Sequence, residues 1–282
     1  MLTKLVGVKT ADEALQKCGL AWGIRESPVY DGAGKLIPTH KALFRTDNGA
    51  QLSVVKKTYQ WIDNSVFGFF DAVCKKQKAE YISGGSLDGG KRVFLQASIG
   101  RMEIVPGDLV EATVLLSNSF TSESSLLAII GSLRIWCANQ LRLAANKSLA
   151  NISIRHTSGI QDRTLEAFRL FNLSTTSFGL FVNKAKLLAH KAINDKQLKV
   201  FLDTLAPDTG TTQSKNSRNR IVELSHSGLG QKGDLTGWSI LNGYTQHLDH
   251  DGGGDQDSLI SSRLFGFRAS QKSKALDLAL AL

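Results

Sequence analysis

Cysteine and proline are both scarce in this chain of 282 residues, and each scarcity excludes a class of protein. There are three cysteines, Cys18, Cys74 and Cys137, an odd number spread widely and without a CxxC pair. A disulfide framework and a cysteine-based metal site are therefore excluded, and the three read as small buried hydrophobes in a reducing compartment. Only four prolines occur against 26 glycines. Long extended linkers are excluded, whereas hairpins and tight turns are favoured. No stretch approaches the roughly 20 apolar residues of a membrane span; the longest, at 126–133, is broken by Gly131 and Ser132. The first residues lack the apolar core of a signal peptide. The expectation is a cytoplasmic protein of a bacterial host cell, with no membrane partner. Phosphate-loop and nucleophile-elbow patterns, GxxxxGK[ST] and GxSxG, are also missing.

Apolar residues are plentiful at 42%, enough for a real core. Basic charge is also plentiful. Lys and Arg number 34 against 25 acids, a net +9 and a pI near 9.5. Such a surplus attracts polyanions, because each cation meeting a phosphate releases condensed counterions.

Thr10 and Glu13 have capping-box spacing and predict a short helix ended by Gly19. Segments 41–46 and 51–56 flank Asp47-Asn48-Gly49, a hairpin signal. Val66, Phe69, Phe70, Val73 and Cys74 predict a helix over 65–78. Segments 79–83 and 92–97 form a second hairpin around a glycine-rich turn, and 110–116 with 126–135 a third pair. Helices are predicted at 138–146, 160–193 (with a kink at Gly179), 196–205, 218–225, 237–250 and 264–282. A short strand is expected at 152–156, and loops at 208–216 and 249–255. The fold class is α+β: an antiparallel sheet of hairpins with one helix on its face, then a helical C-terminal half. The expected division is a strand-rich nucleic-acid-binding core at 1–156 and a helical region at 157–282.

Basic residues gather around the predicted strands. Lys56 and Lys57 precede Tyr59 and Trp61, Lys91 and Arg92 follow the glycine turn, and Arg134, Arg142, Lys147 and Arg155 follow the central strands. Cations neutralise a single-stranded backbone while rings stack on bases, so these residue types together suit single-stranded nucleic acid. Of two adjacent lysines in a strand, at least one faces away from the core. Arg155 and His156 precede the long helix, whose free amides favour an anion. Trp61 reads as a core residue at a strand-to-helix junction. The pairs Gly84-Gly85 and Gly89-Gly90 sit within a hairpin, not between strand and helix, and are weak as a phosphate cradle.

His247, Asp249 and His250 form the one metal candidate, beside an acidic glycine loop. Their spacing matches neither HExxH nor a calcium loop. The simpler reading is a helix C-terminus with His near the dipole, followed by a solvated loop. No cofactor and no catalytic residue is expected.

Several phrases together carry a resemblance. They are Tyr59-Gln60 with Asn64, GSLDGGKRVF (85–94), LLSNS (115–119), RIWCAN (134–139), SIRHT (153–157) and GWSILNGYTQHLDH (237–250). In this order, from about Ala11 onward, the chain resembles a phage- and plasmid-related protein family known mainly as a domain of unknown function. That family often begins with a Trp-His-containing segment absent here, so any role of that segment is absent or supplied elsewhere. The resemblance implies a place on mobile elements. The order of elements is also loosely similar to the Rad52-like single-strand annealing proteins, which bind stretched single-stranded DNA in a basic groove as rings or filaments. That similarity implies a homo-oligomer promoting annealing and recombination on single-stranded DNA. In that reading the basic residues named above, Lys56, Lys57, Lys91, Arg92, Arg134, Arg142 and Arg155, are the expected phosphate contacts, with Tyr59 as a stacking residue. The alternatives are a metal-dependent nuclease at His247, Asp249 and His250, and an anti-defence or regulatory protein binding a host partner.

Overall fold

The computed structural model describes residues 2–77, 79–121, 127–134, 139–142, 152–153, 160–227, 234–251, 253 and 255–282. The fold is α+β, as the patterning predicts. The strands are β1 (Leu2–Val8), β2 (Ile24–Tyr30), β3 (Leu36–Arg45), β4 (Gln51–Lys56), β5 (Glu80–Leu87), β6 (Arg92–Val105), β7 (Asp108–Ser119), β8 (Leu127–Arg134), β9 (Asn139–Arg142) and β10 (Ile152–Ser153). The helices are α1 (Ala11–Lys17), α2 (Asp71–Lys76), α3 (Ile160–His190), α4 (Asp195–Leu205), α5 (Thr212–His226), α6 (Gly237–His250), α7 (Gln256–Leu264) and α8 (Phe267–Ala281), with 3₁₀ turns at Asn64–Phe70 and Asp88–Gly90. No helix among the described residues is long and apolar enough to cross a membrane.

The larger sheet runs β1-β5-β6-β7-β8-β10, with β9 also on β8; the smaller runs β2-β3-β4. Every pairing whose register is described is antiparallel. Contacts group the chain into two compact units. The first comprises Met1–Ile99, Thr113–Ile129 and Ser148–Leu173, and the second Gly100–Ala112, Ile130–Lys147 and Ser174–Leu282.

In the first unit, Phe67, Phe70, Tyr81, Val93, Leu95, Val114, Leu116 and Phe120 are fully or almost fully buried in one apolar cluster. Each side chain of this size contributes roughly 1.5–3 kcal/mol on burial. Thr10 caps α1 by accepting from the Glu13 amide, while the Glu13 carboxylate turns to Lys17 at 2.7 Å, so only half of the expected box forms. Asp71 ties α1 to β5: its Oδ1 accepts from the Ala11 amide at 2.8 Å and from the Tyr81 hydroxyl at 2.9 Å. Burial pushes the Asp71 carboxyl and the Tyr81 phenol above their ordinary values.

In the second unit, α6 is buried over its first turns because Trp238, Ile240, Leu241 and Tyr244 surround it with apolar surface. Trp238 donates to buried Asp108 at 2.8 Å, and its ring meets Phe181 at 6.1 Å.

Several expectations are corrected. Segment 65–78 is a 3₁₀ turn followed by α2, which ends at Lys76. β5 continues through Gly84 and Gly85 to Leu87. A Cβ on Gly84 would lie 2.6 Å from Leu95 Cδ2 and 2.8 Å from Cys18 Sγ, so this glycine serves close packing inside a strand rather than a turn. Asn139–Arg142 is a strand rather than a helix, because its backbone pairs with β8 from Gly131 to Arg134; the rest of that predicted helix lies outside the described residues. Segment 208–216 is a loop only to Thr211, whose side chain accepts from the Ser214 amide and starts α5. α3 runs through Gly179 unbroken, and 264–282 is the end of α7 followed by α8. β1 and β2 were not anticipated.

Candidate nucleic-acid interface

Residues directly opposite in an antiparallel ladder share a face. In the small sheet, Lys56 stands opposite His40, Val54 opposite Ala42, Ser27 opposite Ala42 and Arg25 opposite Phe44. Positions 40, 42 and 44 alternate along β3, so Arg25, His40, Phe44, Val54 and Lys56 belong to one face. Leu43 and Val55 belong to the other and are buried. The first face is partly open to solvent: Arg25, Val54 and Lys56 are exposed, Ser27, His40 and Phe44 are half-buried, and the small Ala42 at its centre is buried. The Arg25 guanidinium lies 4.9 Å over the Phe44 ring. On the inner face Glu26 accepts from Lys41 at 2.6 Å and from the Trp61 indole at 2.7 Å. These bonds hold the Glu26 carboxyl below its ordinary value.

The end of β7 is tied to three neighbouring segments. The Phe120 amide donates to the Lys91 carbonyl at 2.9 Å, and the Phe120 carbonyl accepts from Ser53 Oγ at 2.5 Å. The Tyr59 hydroxyl reaches the Ser119 and Thr121 carbonyls at 3.3 and 3.2 Å. Ser53 stands opposite Leu43 on the buried face, so this stretch of β7 meets the small sheet on the side away from Arg25, His40, Phe44 and Lys56.

The predicted site residues are distributed as follows. Lys56, Lys57 and Lys91 are exposed, and Arg92 is half-buried, all in the first unit. Lys56 and Lys57 both reach solvent, one more than the strand argument required. Tyr59 packs its ring against the apolar cluster, and burial raises its phenol, so it anchors the region. Arg134 stands opposite Asn139, and Arg142 opposite Gly131, in the second unit. Arg155 lies outside the described residues. The residues sequence reasoning missed are Arg25, His40 and Phe44. The register 25–44–40–56 carries them, and it is visible only once β2 is known to pair with β3.

The structure does not bring His247, Asp249 and His250 together. Residues two apart on a helix point to different sides. His247 Nδ1 lies 3.0 Å from Asp251 Oδ2, His250 is exposed, and Asp249 is buried against Lys272 Nζ at 2.8 Å. Among the described residues no group of three His, Cys, Asp or Glu is placed to hold a metal.

Comparison with curated proteins, and separately with solved structures, finds no match. Residues 51–280 match a protein family, which covers most of both units. The chain belongs to the family described as a domain of unknown function, DUF932.

Proposed function

We propose that the protein binds single-stranded DNA on the outer face of β2-β3-β4, and that it serves a mobile element by promoting strand annealing as a homo-oligomer. The observation that carries the reading is the solvent face joining Arg25, His40 and Lys56 to the Phe44 ring. Cations at strand ends neutralise phosphates, and a ring between them offers a stacking surface worth roughly 1–3 kcal/mol per base. Lys57, next along the chain from Lys56, is exposed as well, and the net charge of +9 adds long-range attraction. The annealing and mobile-element parts rest on the resemblance in sequence and on the order of antiparallel strands before a long helix, α3. The reading requires no cofactor.

The test is fluorescence anisotropy with a labelled single-stranded oligonucleotide across a salt series. Affinity rises as salt falls, and Lys56→Ala flattens the log–log salt slope by about 0.7. Phe44→Leu weakens binding without changing that slope. Absence of binding at low salt overturns the proposal. Negative-stain images with DNA test the oligomer: rings or filaments support it, and monomers refute it.

A further inference from the structure

The second unit holds an open cavity of about 350 Å³, lined by the end of α4 and the loop after it, by α5, by α6 and by the start of α8. Its apolar walls include Leu205, Pro207, Ile221, Tyr244 and Leu248, and its polar wall residues are Ser, Thr, Gln, Tyr and His. Among the described residues no Asp, Glu, Lys or Arg lines it. Apolar walls carrying a few uncharged polar groups are the usual make-up of a small-molecule site. The walls are also fixed in advance. The Tyr244 hydroxyl donates to the Leu205 carbonyl at 3.3 Å, and Arg218 of α5 donates to the Ala206 carbonyl at 3.1 Å.

His247 supplies an oriented polar atom. Its Nδ1 lies 3.0 Å from Asp251 Oδ2, and Arg220 Nε holds that same oxygen at 3.2 Å. A carboxylate only accepts, so in the neutral ring Nδ1 bears the proton and Nε2 is the acceptor. Asp251 is not a wall residue, so the Nδ1 edge turns away from the cavity and the opposite edge is left to it. The His247 side chain is 20% exposed, and Nε2 is open to water and bonded by no described residue. The side chains of Ser217 and Gln271 line the same space and likewise have no protein partner. Phe267 stands at the rim and is 69% exposed. An aromatic face left open beside a cavity is stabilised by a flat ring laid against it.

We infer that this cavity binds one free, uncharged nitrogen heterocycle of the nucleoside class, its ring on Phe267 and one of its N–H groups donating to His247 Nε2. The Gln271 carboxamide offers a donor and an acceptor side by side, the pattern that a glutamine presents to the edge of adenine. No wall charge compensates an anion, so a nucleoside is accommodated better than its phosphate ester. The site belongs to the second unit and stands independently of the DNA-binding reading.

The experiment titrates the whole ¹⁵N-labelled chain with adenosine, cytidine, adenosine monophosphate and ribose at millimolar concentration. Long-range ¹H–¹⁵N correlation follows the ring nitrogens of His247, assigned by their loss in His247→Gln. A saturable movement of Nε2 with either nucleoside, absent with ribose and weaker with the monophosphate, supports the inference. Phe267→Ala, at an exposed position that leaves the fold intact, weakens that binding by roughly fivefold or more. Gln271→Ala weakens it by roughly two- to tenfold. Three results overturn the inference: no movement of Nε2 with either nucleoside, an equal movement with ribose, or monophosphate binding as tight as that of adenosine. Undiminished binding in Phe267→Ala overturns it as well.

Discussion

Lys272 Nζ grips both carboxylate oxygens of Asp249, at 2.8 and 3.1 Å, with both side chains almost completely buried. This ion pair joins α8 to the last turn of α6, and it removes Asp249 from any metal chemistry at the helix end. Burial pulls the Lys272 amine below its ordinary value, although the Asp249 charge beside it opposes that shift.

Breaking one side of this pair leaves an uncompensated buried charge. Lys272→Met is expected to lower unfolding free energy by about 3–5 kcal/mol, while the double variant Asp249→Leu/Lys272→Met regains most of it. Urea denaturation of the single and double variants measures both. Equal losses in the two would contradict the pairing.

Asp71 gives a pH-dependent prediction. Its carboxyl lies above the ordinary 3.8 because burial penalises the charged form. Between the unfolded and folded values the native state binds more protons, so this group's contribution falls as pH rises through that window. Asp71→Asn keeps an oxygen for the Ala11 amide and the Tyr81 hydroxyl but cannot ionise. Its stability relative to the parent should therefore rise from pH 3 to pH 6. Denaturant midpoints at several pH values give the sign directly.

Two helical glycines should respond in opposite ways to alanine. A Cβ on Gly243 would lie 2.7 Å from the Ser225 amide nitrogen and 2.8 Å from the Ile221 carbonyl, both backbone atoms of α5. The helix-propensity gain of up to ~1 kcal/mol is outweighed by overpacking of about 1–3 kcal/mol. Gly179 meets nothing within 4 Å among the described residues, so there the propensity gain stands alone. Thermal melts should move down for Gly243→Ala and up for Gly179→Ala.

Cys74 is buried, and desolvation with the nearby Asp71 and Glu80 charges pushes its thiol up to about 12. With Cys18 and Cys137 replaced by Ser, the remaining thiol should resist a disulfide reagent at pH 8 until denaturant is added. Rapid labelling of the native chain would show that this site opens.

Tyr59→Phe keeps the ring and deletes the hydroxyl that binds two carbonyls at the end of β7. A stability loss of about 0.5–1.5 kcal/mol is expected. The anisotropy salt slope should not change, because no cation is lost.

Local signals accounted for much of the fold. Helix α6 begins and ends at its predicted residues because Thr236 caps it and its apolar residues recur at helical spacing. The Asp47-Asn48-Gly49 turn needs a positive φ at its glycine, which Gly49 supplies at +71°. The misread elements had weak local signals. Asn139–Arg142 suits a helix by propensity and becomes a strand only because β8 offers a partner. The start of α5 is polar, so no apolar period marks it.

For the candidate site the division is similar. Charge and residue type alone nominated Lys56, Lys57 and Lys91, since a charged side chain at a strand end reaches solvent whatever its neighbours. The register across three strands, which sets Arg25 over Phe44 and His40 beside Lys56, is a non-local property. The same holds for Asn64, whose amide donates to the Leu20 carbonyl, 44 positions away. Alternation, caps and turn residues act over a few positions, and these the amino-acid sequence determined by itself. Which strand pairs with which, and which buried polar atoms are left without partners, depends on contacts between distant segments, and only the tertiary structure decided it.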